Sequence, residues 1–277
     1  MAINLATKFS PLVDETFTEA SKASLVVNSD YDFIGAKSIK IYSVNTAKMN
    51  DYGRNQDGTA RYGTVKDLST ELQEISMEKD RSFTFAIDKM DEDETLGALN
   101  AGTALARQLN EEVIPEVDKY IYKKIADNAG NTVTETITKD NAYDSLATAN
   151  ATQDELSVPE SGRVCVGNPM FIKNLKADER AVLDTEVGQN MRILGVIGEM
   201  DGANIQKVPS RLLPAGVNYM LVHPVATTFA AKLVEYKIHE DAPGVSGSLV
   251  EGRIYYTAFV RNNKKDAIYV STSEISA

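Results

Sequence analysis

The side chains able to do chemistry are few in this sequence, and their spacing does not assemble a reaction. His223 and His239 are its two histidines, and no cysteine or acidic residue stands at ligand spacing around both, which falls short of a tetrahedral zinc site. His223 directly precedes Pro224 at a helix entry, where a histidine serves structure or faces solvent. Cys165 is the single cysteine. It lies between Val164 and Val166 with no basic neighbour to lower its pKa, so it reads as a small core residue rather than a nucleophile. The run Asp91, Glu92, Asp93, Glu94 offers paired carboxylates, but at the head of a helical pattern such groups cap free amides and complement the helix dipole. The glycines of 195–202 match neither the G-x-G-x-x-G spacing nor a phosphate loop followed by Gly-Lys-Ser/Thr, and they read as turn and close-packing positions. No G-x-S-x-G elbow is present. No catalytic, cofactor-binding or metal residue is assigned.

A different chemistry is offered by Tyr52, Arg54, Arg61 and Tyr62, which interleave aromatic and basic groups in a polar stretch. Asp51 and Asp57 nearly cancel the basic charge, which favours a protein contact over phosphate binding. In such a contact tyrosine and arginine contribute most.

The element that presents these residues reads as a long hairpin-like arm over about 38–88. Ile39, Ile41 and Ser43 alternate with Lys40, Tyr42 and Val44 in an outgoing strand, and Gly53, Gly58 and Gly63 punctuate a polar tip over 50–63. Asp57-Gly58 is a turn signal. The return runs over 65–87, with Ile75, Met77, Lys79, Arg81, Phe83, Phe85 and Ile87 on alternate positions of what reads as one strand. This arm is too thin to be stable alone. Apolar positions then recur at three or four residue intervals from about 93 to 128, among them Leu96, Leu99, Leu109, Val113 and Ile121. A helix of that length spans on the order of 50 Å, against a radius of gyration of about 19 Å for a compact chain of this size. Pro115 predicts a bend near Val113, and Gly130 a left-handed C-terminal cap. Elements that overrun their own core find burial on a neighbour.

Beyond 130 the pattern becomes mixed α/β. Arg163-Val164-Cys165-Val166 reads as a strand, Asn168 and Pro169 open a helix through Lys176, and 203–208 and Val217–Val222 read as strands. His223-Pro224 is expected to open a helix carrying Phe229, Leu233 and Val234. Strands at 255–260 and 268–270 around the polar turn 261–266 predict a closing hairpin.

Composition bounds the rest. At 43% hydrophobic and 25% charged the chain is ordinarily globular, and its net charge of -11 with no basic run argues against a nucleic-acid surface. One cysteine permits no intrachain disulfide and fits a reducing compartment. The opening residues show no signal-peptide pattern, and no apolar stretch approaches the roughly 18 residues of a membrane span, so a protein made and used without export is expected.

The order of segments resembles the major capsid proteins of tailed bacteriophages, with the Hong Kong 97-type fold. The resemblance rests on Ser10-Pro11 with Val13-Asp14-Glu15 and Phe17, on Met49-Asn50-Asp51-Tyr52, Arg61-Tyr62-Gly63 and Asp80-Arg81-Ser82-Phe83. It continues through Ile114-Pro115-Glu116-Val117-Asp118-Lys119-Tyr120, the glycines of 195–202 and His223-Pro224, and so covers nearly the whole chain. It implies an α+β fold with an N-terminal arm at 1–36, an extended E-loop hairpin at 37–88, a P-domain with the long spine helix at 89–139, a central A-domain at 140–225, and closing strands returning to the P-domain at 226–277. It implies a non-enzymatic subunit that assembles as pentamers and hexamers into an icosahedral head around double-stranded DNA, without sequence-specific DNA binding, cofactor or membrane. The virion capsid is the implied location, with assembly in the host cytoplasm. The arm and the tip, through Phe9, Phe17, Tyr52, Arg54, Arg61 and Tyr62, are the candidate inter-subunit contacts.

Some members of that family carry a long N-terminal segment that acts as a built-in scaffold, whereas this sequence opens almost directly at the arm. A separate scaffolding protein and a portal are therefore expected as partners. No Lys and Asn pair is assigned to the inter-subunit crosslinks some members form. Alternative readings are an encapsulin-type bacterial compartment shell of the same fold, which needs a cargo-binding interior pocket, and a soluble carboxylate-based hydrolase or sugar-binding module, which predicts a monomer with a cleft.

Overall fold

The structure is a computed structural model, and it describes residues 21–31, 33, 37–54, 61–63, 65, 67–95, 100–178, 196–240 and 242–273. Strands β1 (Ser38–Val44) and β2 (Thr70–Ser76) form an antiparallel hairpin in register Ile39↔Ile75 and Tyr42↔Leu72. Its two-stranded sheet stands apart from the other two sheets. The expected single return strand is in fact two. The chain breaks at Met77 and Glu78, and β3 (Lys79–Asp88) enters a different sheet. Met77 still belongs to the hairpin side of the break: its backbone N–H bonds Lys37 O at 3.1 Å, and its side chain is buried among Phe33, Ile41 and Ile75. On that face Lys79 and Arg81 stand between Met77 and Phe83, so the apolar alternation lapses just past the break while the period of two continues.

The acidic run does not open the long helix. It forms a helix of its own, α1 (Lys89–Glu94), in which Asp88 accepts from Met90 N–H. The long helix starts after Asn100, whose side chain accepts from Gly102 N–H at 2.9 Å. It runs as α2 (Ala101–Gln108), a π-turn (Leu109–Val113) and α3 (Ile114–Asp127). The π-turn sits where the sequence predicts a disturbance. Pro115 has no N–H to give back along the helix, and Ile114 N–H reaches Leu109 O, one residue further back than in an α-helix. The whole helix, 101–127, is on the order of 40 Å long at 1.5 Å per residue.

Gly130 follows, but not as a left-handed cap. A Cβ there would meet the backbone carbonyl of Lys265 at 2.6 Å, and Gly130 N–H bonds that carbonyl at 3.0 Å. Close approach, rather than positive φ, is what requires glycine.

The mixed α/β body contributes β4 (Asn131–Thr134), α4 (Ala142–Glu155), β5 (Arg163–Gly167), α5 (Pro169–Ala177), β6 (Val196–Met200), β7 (Ala203–Lys207) and β8 (Val217–Val222). Asn168 caps α5 by accepting from Phe171 N–H at 2.7 Å, as Pro169 at the first helical turn predicts. Asp201 and Gly202, with φ of 52° and 73°, make the two-residue turn between β6 and β7, the mirror-image turn suited to a twisted hairpin.

After β8 the structure departs from expectation twice. His223-Pro224 opens only a short 3-10 turn (Pro224–Ala226), and the residues beyond form a strand, β9 (Thr227–His239). The spacing of Phe229, Leu233 and Val234 suits either period, and pairing along β10 (Gly247–Val260), aided by β-branched residues such as Thr227 and Thr228, decides for the strand. Nor do the last strands form a hairpin. β10 lies between β3 and β9, while β11 (Ile268–Thr272) lies between β4 and β8, with a 3-10 segment (Asn262–Ala267) carrying the chain from one sheet to the other.

The six-stranded sheet, β4-β11-β8-β5-β7-β6, is covered on both faces. Val164, Val166, Met220 and Val222 pack with Ile121, Tyr122 and Ile125 of α3 and with Ala23 and Val26. Cys165, Tyr219 and Leu221 point the other way, onto Leu146 of α4 and Phe171 and Leu175 of α5. Two-sided burial is why β5 is buried at every position.

Candidate assembly surfaces

The residues first considered for chemistry are built into the fabric of the fold. Cys165 is fully buried, and burial pushes its thiol up, away from reactivity. His223 accepts from Val225 N–H through Nδ1 at 3.1 Å, so its Nε2 carries the proton it donates to Ser161 O at 3.1 Å. Burial also lowers its pKa, and the ring is a neutral cap. His239 lies 3.4 Å from Glu251 on the exposed sheet. Among the described residues no three His, Cys, Asp or Glu side chains gather as metal ligands, and no helix is long and apolar enough to cross a membrane.

Among the described residues the exposed apolar side chains, by contrast, concentrate in one place, with Met90, Leu156, Met170 and Ile238 scattered elsewhere. Tyr42 (67% exposed), Val44, Met49, Tyr52, Tyr62, Val65, Leu68 and Leu72 all belong to the hairpin. Pairing Tyr42 with Leu72 and Val44 with Thr70 places Tyr42, Val44 and Leu72 on one face of it. At the tip, Gly53 N–H bonds Arg61 O at 3.0 Å and brings the four predicted contact residues together. The rings of Tyr52 and Tyr62 meet edge to face with centroids 5.0 Å apart, and Arg54 and Arg61 flank them, exposed. Gly63 allows the turn: it has φ of +81°, and Asn50 fills the space where a Cβ would be. Phe9 and Phe17, with the rest of the leading arm and the Asp57-Gly58 turn, lie outside the described residues.

The opposite face of the hairpin, at its root, is fixed to the body. Ile41 and Ile75 pack with Phe33, Met77, Ala230 and Phe259. Gln73 donates to Val260 O at 3.0 Å and accepts from Asn262 N–H at 3.1 Å. At the break between β2 and β3, Glu78 accepts from Tyr120 OH and from Lys124 Nζ, each at 2.8 Å, which ties the hairpin's direction to the long helix. Burial raises the Glu78 pKa, but the bonds from Lys124 and Tyr120 outweigh it and hold the carboxyl below its usual value. Tyr120, half-buried beside it, is pushed up to about 12, first by desolvation.

A second anchor holds the stretch from Ser21 onward. Asp118 of α3 is 2% exposed and accepts from Ser21 Oγ at 2.6 Å and from Lys22 N–H at 2.9 Å. Gln206 of β7 donates to Lys22 O at 2.8 Å, and Lys22 Nζ reaches Lys207 O at 3.1 Å. Burial raises the Asp118 pKa, and the bonds from this stretch oppose it only in part. Farther along, Asn28 pairs with β9 through Thr227 O and Phe229 N–H.

Sequence reasoning names the four tip residues that the structure brings together and does not name the exposed face of the strands beside them. Tyr42, Val44 and Leu72 carry a signal, since apolar groups stand on both faces of β1 and β2 instead of one. The anchors Gln73, Glu78 and Asp118 carry none, because their partners lie far along the chain.

No protein-family model matches this chain, and no curated protein matches it significantly. Solved structures do match. A structure from Mycobacterium phage Che8 has a TM-score of 0.73 at 21% identity, covering 98% of this chain and 98% of that one. The capsid structure of cyanophage P-SCSP1u has a TM-score of 0.72 at 14% identity, covering 98% and 93%. The asymmetric unit of the bacteriophage PhiM1 mature capsid has a TM-score of 0.71 at 12% identity, also covering 98% and 93%. The chain has the α+β fold of these phage capsid structures over nearly its whole length.

Proposed function

We propose that this chain is a non-enzymatic shell subunit whose copies gather as pentamers and hexamers into a phage head around double-stranded DNA. One observation carries the reading: in a fold shared with phage capsids, the hairpin leaves Tyr42, Val44, Leu72 and the tip tyrosines in water while its root is firmly built. Each such side chain gains about 1.5–3 kcal/mol if fully buried, a driving force that a second copy can supply. The division into N-terminal arm, E-loop, P-domain and A-domain follows the same reading, with β3 grouped with β9 and β10 in the P-domain rather than with the hairpin.

The net charge of -11 supports a wall that contains DNA without gripping it. Assembly in the host cytoplasm with a separate scaffolding protein and a portal completes the proposal, as does residence in the finished virion. The test is sedimentation velocity and negative-stain microscopy of the purified chain, alone and co-expressed with its scaffolding partner. Capsomers alone and closed shells with the partner are expected. A monodisperse monomer under both conditions overturns the shell reading, and efficient closed shells from the chain alone overturn the need for a scaffold.

A further inference from the structure

Between the long helix and the three-stranded sheet the fold keeps a cavity of about 180 Å³. Gly252 lies at its floor and lets two rings close over the strand. In β10 it is paired with Phe83 on one side and Tyr236 on the other, and those two rings lean over the missing side chain with centroids 6.1 Å apart. A Cβ at Gly252 would lie 2.4 Å from the Phe83 ring. Val113 and Val117 line the helical side, and the mouth carries Gln108, Glu112 and the Arg81–Glu116 ion pair. The result is a slot whose lining mixes aromatic and aliphatic side chains with polar ones, with Glu112 and Glu116 at its mouth.

We propose that this slot receives the ring of Tyr62 from a second copy of the chain. The inference rests on the shell reading and gives that reading a specific receptor. Three observations converge on it. A cavity of about 150 Å³ takes a benzene ring, so the volume here suits a single phenol, whose polar edge matches the mixed lining. Tyr62 is 81% exposed, more than Tyr42 at 67% or Tyr52 at 49%, and its edge contact with Tyr52 holds it at the tip of a projecting element. The charges also match in sign. The tip segment 48–67 carries Lys48, Arg54, Arg61 and Lys66 against Asp51, Asp57 and Asp67, a net excess of positive charge, whereas the slot sets Glu112 and Glu116 against Arg81. A buried tyrosine hydroxyl needs a partner, and Glu112 at the mouth can accept its hydrogen bond while the tip arginines lie over the acidic rim.

The experiment compares particle formation by sedimentation velocity, with the melting temperature of the unassembled chain as a check on folding. Tyr62→Ala and Glu112→Arg, both at exposed positions, are each expected to cut the assembled fraction at least about tenfold with melting unchanged. Tyr62→Phe, which keeps the ring, should lose only a few-fold. Adding Arg54→Glu and Arg61→Glu to Glu112→Arg restores the sign match, and assembly should recover to within a few-fold of wild type. A photo-crosslinking residue at position 62 should yield intermolecular adducts to 108–117 or to β10. If wild type assembles and Tyr62→Ala and Glu112→Arg assemble equally well, or if the adducts map elsewhere, the slot proposal is overturned while the shell reading stands. A wild-type chain that never associates overturns both.

Discussion

Strands β5 and β1 sit in the same chain under opposite conditions. β5 is buried at all five positions, closed in by α3 on one face and by α4 and α5 on the other. β1 has seven residues, of which Ile41 alone is buried. Both are rich in apolar and β-branched residues, so composition does not separate them. What differs is where the covering surface comes from. The six-stranded sheet is completed by its own helices, whereas the hairpin is completed at its root by Phe33, Met77 and Phe259 and left open over the rest of its length. On the proposed shell reading, stability and assembly fall to different parts of one polypeptide, and substitutions should affect them separately.

The largest effect tests that separation directly. Leu221→Ala, in the heart of the six-stranded sheet, should cost about 2–5 kcal/mol through the lost transfer energy and the cavity left behind. Leu72→Ala on the open face of the hairpin should stay within about 0.5 kcal/mol. Urea denaturation of the unassembled chain measures both, and equal losses would erase the distinction between the two regions. A complementary test replaces Tyr42 and Leu72 together by Asp. Particle formation should disappear in microscopy while the midpoint of urea unfolding holds.

The anchors sharpen the comparison, because they mark where the self-sufficient part ends. Asp118→Ala strands Ser21 Oγ and Lys22 N–H and should cost about 1–3 kcal/mol, with faster amide hydrogen exchange confined to 21–27. The pH dependence carries a definite sign. The folded Asp118 pKa lies above 3.8, so the folded state takes up the proton more readily than the unfolded chain does, and this group's contribution grows more favourable as pH falls through that range. Asp118→Asn should flatten that part of the stability profile.

Glu78→Gln should have the smallest effect, about 0.5 kcal/mol at neutral pH, since its carboxylate is 45% exposed and screened. Its folded pKa is depressed below 4.5, so the contribution is complete above that value and vanishes as pH falls through the lower folded value. Wild type and variant should converge in acid. Curves that stay parallel there would mean that Glu78 does not hold the hairpin root through its charge.

Much of this is legible in the sequence, and three of the departures share one cause. The outgoing strand, the helix behind Pro115, β5, the Asn168 cap and the tip cluster each announce themselves through neighbours in sequence: a period, a cap, a turn residue. The helix expected after His223, the closing hairpin and the unbroken return strand do not form, because a partner strand far along the chain decides each of them. β9 is a strand because β10 lies beside it, and β11 leaves β10 because β4 and β8 hold it. The candidate surface follows the same rule. Tyr52, Arg54, Arg61 and Tyr62 stand out by type, while the slot exists only where Phe83, Gly252 and Tyr236, distant in sequence, fall on adjacent strands.

The grip of Asp118 on Ser21 and Lys22 also has a mechanical side. A tug on the chain from ahead of Ser21 is taken up by a carboxylate rooted in α3 and by a glutamine rooted in β7, before any strain arrives at β1. Pulling single molecules from a handle at residue 21 should show a distinct rupture that Asp118→Ala abolishes. A lattice strung together through such segments would carry its load in the bodies of its subunits and leave the hairpins slack.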